Sequence, residues 1–160
     1  METDTEIYFY TLKNKFSYMS NFYKTNFTDK DGIQYICSEQ YFMYHKCKTF
    51  DPDNNILLQT ILTEKSAAKI KQYGRKIKNY NDTIWKEKRY NIMLDALRLK
   101  FNQNEIIKKN LLETKPKILY EASKNDKIWG IGFYDKDAID KSKFGTNLLG
   151  KALMEIRNEL

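Results

Sequence analysis

The sequence predicts an α+β fold: a predominantly helical single domain, residues 1–160, with a small antiparallel sheet. Three observations lead there. A long stretch from Asp82 to Phe101 carries apolar residues at helical period, two short aromatic and β-branched segments flank the tight-turn dipeptide Asp31-Gly32, and no repeat or low-complexity linker interrupts the chain. The size agrees, because 160 residues that are 41% hydrophobic and 14% aromatic can build one core despite a mean hydropathy of −0.72. A disordered chain and a long multidomain machine are both excluded.

The elements follow in order. Glu6 to Thr11 is rich in aromatic and β-branched residues and reads as a strand. Thr25 to Thr28 and Ile33 to Cys37 flank Asp31-Gly32, where glycine tolerates positive φ, and form a β-hairpin. Ser38 serves as N-cap of a helix through Lys46, with Glu39 in its first turn and Asp51-Pro52 at its exit. Ile56 to Leu62 suggests a second helix, and Thr63 to Tyr73 a third, closed by Gly74 as a left-handed C-cap. From Asp82 as N-cap, Trp85, Ile92 and Leu99 recur every seven residues while Met93, Leu97 and Phe101 continue the stripe, which makes a long amphipathic helix. Asn104 caps a further helix carrying Ile106, Ile107, Leu111 and Leu112, ended by Thr114-Lys115-Pro116 because proline disfavours helix in the residue before it. Ile118 to Ala122 and Lys127 to Tyr134 read as strand or extended segments, and a final helix starts near Asn147 with Leu149, Ala152, Leu153 and Ile156 on one side.

Charge and composition bound the function classes. Lys and Arg number 28 against 21 Asp and Glu, giving a net charge of +7 and a pI near 9.2, which favours phosphate-bearing ligands. The densest basic groups, Lys69-Ile70-Lys71 and Arg75-Lys76-Ile77-Lys78, are short and read as a solvated lysine-rich surface rather than a dedicated nucleic-acid patch. Two cysteines and a polar, acidic Met1–Glu6 start argue against a disulfide-stapled secreted protein, so the expected location is intracellular, in the cytoplasm. No run approaches the roughly 18 apolar residues of a spanning helix, so no membrane association is expected.

Several side chains could carry chemistry. His45 is the sole histidine, and Cys37 and Cys47 match no zinc-site spacing, so a structural histidine and no metal are expected. Gly130-Ile131-Gly132 lacks the third glycine of a dinucleotide fingerprint, and there is no phosphate-binding loop or nucleophile elbow. Glu39 and Lys46 lie seven residues apart on one helical face, separated by about 10 Å along the axis, too far for an ion pair. Such a gap can hold a sugar-sized group between a carboxylate and an amine, with Phe42 and Met43 lowering the local dielectric. It equally fits an ordinary charge pair flanking a core stripe. Asp126 to Gly132 places an acid, an indole and two glycines in seven residues, suited to a flat ring or ribose, or to close backbone packing. Trp85 fits a core position as well as a ligand wall, and Ser20-Asn21-Phe22 fits a simple turn.

Together these segments resemble, in order and spacing, the NADAR or YbiA-like family, whose proteins are linked to NAD and ADP-ribose metabolism. The resemblance runs through Ser20-Asn21-Phe22, Ser38-Glu39-Gln40-Tyr41-Phe42 with Lys46 downstream, Ala68-Lys69, Gly74-Arg75, Trp85, Met93, Lys100-Phe101, Leu111-Leu112, Leu119, Glu121, Asp126, Trp129-Gly130-Ile131-Gly132, Gly145-Thr146-Asn147-Leu148-Leu149-Gly150, Leu153-Met154 and Arg157. Departures are Gln40 where the family commonly has His, His45 where it often has Gln, and Lys115 where Gly usually follows Thr. The resemblance implies a cofactor-independent hydrolase of N-glycosidic bonds to ribose. Its substrates would be ADP-ribose on guanine, in nucleic acid, or ribosylamino phosphate intermediates of riboflavin synthesis. It implies Glu39 as acid/base, Lys46 as nucleophile or charged clamp, and Asp126 as a ribose-positioning or proton-transfer group. Trp85 and Trp129 would be apolar or stacking walls, Asn21 and Asn147 hydrogen-bonding groups, Gly130 and Gly132 points of backbone access, and Arg75 a phosphate contact. Ser20 and Phe22 complete the substrate-binding set. The alternative is a noncatalytic ADP-ribose or nucleotide reader using the same residues.

Overall fold

The computed structural model describes residues 1–10, 12 and 14–160. In chain order it comprises β1 (Glu6–Phe9), β2 (Phe27–Thr28), β3 (Gln34–Tyr35), α1 (Ser38–Phe50), α2 (Asn55–Thr63), α3 (Ala67–Tyr73), α4 (Asp82–Asn102), α5 (Glu105–Leu112), β4 (Ile118–Glu121) and α6 (Leu148–Glu159). Short 3-10 turns lie at Ser17–Met19, Gly74–Lys76, Asp135–Asp137 and Lys141–Lys143. The fold is α+β and mostly helical. Among the described residues, no helix is long and apolar enough to cross a membrane.

The chain divides into two compact units, Lys24–Gln103 and the pairing of Met1–Tyr23 with Asn104–Leu160. In the first, β2 and β3 form the expected antiparallel hairpin, with Gly32 at φ 80° in its turn. Helix α1 packs against α2, α3 and α4. Buried Phe42, Met43, Phe50, Leu58, Ile61, Ile70, Trp85 and Leu97 belong to this unit. In the second unit β1 and β4 pair in parallel, Ile7 opposite Leu119, and α6 packs on β4. The sheet is therefore two separate pairs, one antiparallel and one parallel. A parallel pair needs a long connection, and here almost the whole helical sequence lies between the two strands.

Several boundaries differ from the sequence expectation. The first strand ends at Phe9, and Thr11 lies outside the described residues. Cys37, not Ser38, is the N-cap of α1, and the Gln40 side chain accepts from Ile36 N at 2.8 Å. Gln40 Nε2 also donates to Ile61 O at 2.9 Å and Leu62 O at 3.1 Å, so this side chain ties α1 to the end of α2. The third helix begins only at Ala67, with Ser66 as cap. Gly74 is right-handed, φ −55° and ψ −26°, and leads into a 3-10 turn rather than ending the helix in the left-handed region. A Cβ there would lie 2.4 Å from Met43 Sδ, the flexible end of that side chain, which would have to shift. Asn81 caps α4 by accepting from Ile84 N at 3.0 Å, which moves Asp82 into the first turn. Ile92 and Leu99 are only partly covered, and α4 instead buries Met93, Leu94, Ala96, Leu97, Lys100 and Phe101 along with Trp85.

Lys127–Tyr134 is not a strand, because its carbonyls serve a different partner. Lys127 O accepts from Thr146 N, Ile128 O from Leu148 N, Trp129 O from Leu149 N, Gly130 O from Asn147 N and Ile131 O from Gly145 N, all at 2.8–3.2 Å. The segment thus pairs with Gly145–Asn147 on the approach to α6, and two of its carbonyls take the Leu148 and Leu149 amides that the helix start leaves without intrahelical partners. Asn147, left-handed at φ 54°, donates from Nδ2 to Leu119 O at 2.9 Å and accepts on Oδ1 from Glu121 N at 3.0 Å, extending the edge of β4. Cβ atoms at Gly145 and Gly150 would lie 2.3 Å from Lys127 O and 2.2 Å from Leu119 O.

Candidate active site

Helix α1 sets the spacing of the central pair. Glu39, Phe42, Lys46 and Phe50 recur at intervals of three and four, so they share one stripe. Glu39 is buried at 6% exposure, and Lys46 is partly buried one turn before the end of the helix. The first turns of α4 supply the wall. The Trp85 ring centroid lies 5.0 Å from that of Phe42 and 6.0 Å from that of Phe50, and Tyr80 stands edge-on to Phe50 at 5.3 Å. Lys46 Nζ is held 4.9 Å from the Tyr80 ring and 5.6 Å from the Trp85 ring.

Among the described residues, Lys46 makes no ion pair and no hydrogen bond; no ion pair joins it to Glu39. Burial pulls its amine below the ordinary lysine range, and the Glu39 carboxylate partly opposes that shift. The two rings favour the ammonium form, by about 0.5–1 kcal/mol each at exposed sites. The amine is therefore held in place by aromatic faces rather than by a counter-ion, with its lone pair easier to expose than that of a solvated lysine.

Tyr80 was not among the residues singled out from sequence. It lies in the turn before α4, outside any helical period, and its hydroxyl donates to Asp82 Oδ1 at 2.9 Å. Lys100, noted only as part of a family motif, is fully buried beside the Phe101 ring, 5.3 Å from Nζ to centroid. Burial pulls its amine down to about 7, with Cys37 opposing. Arg75 is exposed in the 3-10 turn Gly74–Lys76.

His45 points away from this stripe. Its ring packs against Tyr41 at 4.1 Å and edge-on to Tyr44 at 5.4 Å, with Nε2 buried and without a hydrogen-bond partner. Burial lowers its pKa, against the nearby Asp29, Asp95 and Asp31. It lines a separate open cleft of about 510 Å³ with Lys48, Glu87, Asn91 and Asp95. Cys37 and Cys47 are free and buried, and no group of His, Cys, Asp or Glu among the described residues is arranged to hold a metal.

The other expected site residues belong to the second unit. Ser20, Asn21 and Phe22 follow a 3-10 turn and are partly buried, with Ser20 Oγ accepting from Phe22 N at 3.1 Å. Asp126 Oδ1 accepts from Ile128 N at 2.9 Å and Trp129 N at 2.8 Å, folding the turn that presents Trp129. Gly130 is closely packed, a Cβ there meeting Glu121 O at 2.8 Å, and Gly132 has φ 78°. The Asn147 amide is engaged by β4, as described above.

These observations define a small, mostly helical α+β domain with a carboxylate and a partly desolvated amine on one helix. Residues 8–160 match the NADAR domain, and the chain belongs to the NADAR family. It is 38% identical over 169 residues to N-glycosidase R617 of Acanthamoeba polyphaga mimivirus, covering 99% of this chain and 98% of that protein. It is 31% identical over 157 residues to N-glycosidase YbiA of Escherichia coli strain K12, covering 98% and 89%. The NMR structure of YbiA superposes with a TM-score of 0.78 at 29% identity, over 99% of this chain and 86% of that one. The riboflavin biosynthesis protein VVA0006 of Vibrio vulnificus is 30% identical over 96% of this chain, which spans 38% of that longer protein.

Proposed function

We propose that this protein is an N-glycosidase that cleaves a ribose N-glycosidic bond, removing ADP-ribose from guanine in nucleic acid or acting on a related ribosylamino phosphate. One observation carries the reading: a buried Glu39 shares a helical stripe with Lys46, whose amine is desolvated against Tyr80 and Trp85 without a counter-ion. The relatives named N-glycosidases support the same class of bond.

The chemistry follows from the two groups. Protonated Glu39 gives its proton to the ring oxygen as the C1–O4′ bond breaks, leaving C1 an iminium carbon joined to the base nitrogen. Neutral Lys46 Nζ adds to C1, the Glu39 carboxylate relays a proton from Nζ to the departing nitrogen, and the base leaves as its amine while a protonated imine forms between Lys46 and ribose. Water, deprotonated by the Glu39 carboxylate, then adds to C1, and the carbinolamine collapses to neutral Lys46 and the ribose aldehyde, which closes to the hemiacetal. The amine is again neutral and Glu39 again protonated, as at the start. Trp85 and Tyr80 form the wall against which Lys46 is held. Arg75 is assigned a phosphate contact, Asp126 through its remaining oxygen a ribose hydroxyl, and Trp129 a stacking contact. Ser20, Asn21, Phe22, Gly130 and Gly132 are assigned substrate contacts from the family motifs, whereas the geometry of Asn147 favours holding β4 and α6.

A substrate panel tests the proposal. Folded protein is incubated with guanine-ADP-ribosylated oligonucleotide, a ribosylaminopyrimidine phosphate and free ADP-ribose, with product followed by chromatography. Release of ADP-ribose from the oligonucleotide, or of the aminopyrimidine from the ribosylaminopyrimidine phosphate, is expected from at least one of the first two. Tight binding of ADP-ribose with no turnover of any substrate would contradict it.

A further inference from the structure

Two rings hold the Lys46 amine, and they stand in opposite situations. Trp85 is 6% exposed and packs against Phe42 and Phe50, so little of its ring is left for a ligand. Tyr80 is 47% exposed, yet it is fixed from several sides. Its hydroxyl donates to Asp82 Oδ1 at 2.9 Å, and Asp82 Oδ2 pairs in turn with Lys86 Nζ at 2.8 Å. The ring stands edge-on to Phe50, with 5.3 Å between centroids and 63° between planes. The backbone around it is fixed as well. Asn79, left-handed at φ 58°, donates from Nδ2 to Phe50 O at 3.4 Å, Lys78 N donates to Asp51 Oδ2 at 3.4 Å, and Asn81 caps α4. The turn before α4 is thereby tied to the end of α1, which carries Tyr80 to Lys46. Ordering a side chain costs entropy, and at Tyr80 burial offsets only part of that cost.

The reach of the nucleophile says what the open ring can meet. Lys46 Nζ lies 4.9 Å from the centre of the Tyr80 ring. A carbon poised for attack lies about 3–3.5 Å from its nucleophile, so C1 of a bound ribose comes within about 8 Å of that centre. Aromatic rings pair at centroid separations of about 4.5–7 Å. A heterocycle joined to C1 therefore has only to turn toward Tyr80 to lie against the part of the ring that solvent now covers.

We propose that Tyr80 is a specificity-determining residue, whose exposed ring stacks the flat heterocycle that leaves from C1 and so selects ribosyl substrates that carry a base. The proposal rests on the glycosidase reading for the placement of C1 at Lys46. A base stacked on an aromatic side chain gains about 5- to 150-fold in affinity.

The test is binding without turnover. Guanosine 5′-monophosphate and ribose 5-phosphate, which differ at C1 by the base, are titrated into the full chain and followed by NMR of tyrosine-ring-labelled protein. The Tyr80 resonances are identified by their loss in Tyr80→Phe. Wild type should bind the nucleotide at least about fivefold more tightly than the sugar phosphate, and the nucleotide alone should shift the Tyr80 ring signals. Tyr80→Leu should bring the two affinities within about twofold of each other, while Tyr80→Phe keeps the preference. Circular dichroism and Tm establish that the variants are folded, and the ring signals of wild type read the contact independently of them. No nucleotide binding, no preference in wild type, unmoved Tyr80 signals, or a preference that survives in Tyr80→Leu would each overturn the proposal. Equal losses in Tyr80→Phe and Tyr80→Leu would also overturn it, because the hydroxyl and not the ring would then be read. A base preference that depends on Tyr80, without turnover of any substrate in the panel, would contradict the glycosidase reading and leave the base contact standing. Turnover with no such preference would overturn the base contact alone.

Discussion

Two regions carry the densest motifs of this chain, and they use their polar groups in opposite ways. Around the end of β4 and the start of α6, the polar atoms answer the backbone. Asp126 closes a turn, Asn147 binds both sides of Tyr120 in β4, and five successive carbonyls from Lys127 to Ile131 serve the amides of Gly145 to Leu149, which lead into α6. On α1 and the first turns of α4, Lys46 serves no backbone group and rests on two rings, at a cost in desolvation that no structural hydrogen bond offsets. A polar group that is expensive to bury and unused by the fold points to chemistry. Glycines and amides used by the fold account for that motif without invoking a ligand.

Breaking each region should therefore give a different phenotype. The largest effect expected is on turnover: Glu39→Gln should lower kcat by about 10²–10⁴-fold, the range for a lost general acid/base. A Glu39→Gln variant as active as wild type would remove the acid/base role. The second effect falls on stability. Gly150→Ala forces a Cβ against Leu119 O and should cost about 1–3 kcal/mol as an overpacking substitution. Asn147→Ala leaves a buried carbonyl and amide of β4 without their partner, for about 1–3 kcal/mol. Urea unfolding measures both, and midpoints equal to wild type would contradict the architectural role assigned to this region.

The smallest effect is a pH dependence at His45. Burial depresses its pKa in the folded state, so the unfolded state binds the proton more readily. Stability is then fully present above the ordinary value of 6.5 and declines as pH falls through 6.5 toward the folded-state value. Replacing His45 with Gln should flatten that acid limb in urea titrations between pH 7 and 5. An unchanged limb would show that the imidazole does not contribute to it.

Much of this was legible in the sequence, for local reasons. The period of α1 puts Glu39 and Lys46 on one stripe, Asp31-Gly32 marks the hairpin, and Asn104 and Asn147 mark the starts of α5 and α6. What escaped was nonlocal. The parallel pairing of β1 with β4 joins segments more than a hundred residues apart, and nothing in either strand specifies it. Lys127–Tyr134 has strand composition, yet its carbonyls are taken by α6. Gly74 suits a left-handed cap, yet it is right-handed and packs against the Met43 side chain. Tyr80 lies in an irregular turn and meets Lys46 only through the fold.

The central claim is that Lys46 acts as a nucleophile from its aromatic enclosure. Borohydride trapping during turnover of a ribosylated substrate, followed by peptide mass spectrometry, tests it most directly. The account predicts a reduced ribosyl adduct on Lys46, absent without substrate and absent in Lys46→Arg, which keeps the charge but has lost turnover. Turnover without any adduct, together with a fully active Lys46→Arg variant, would contradict it.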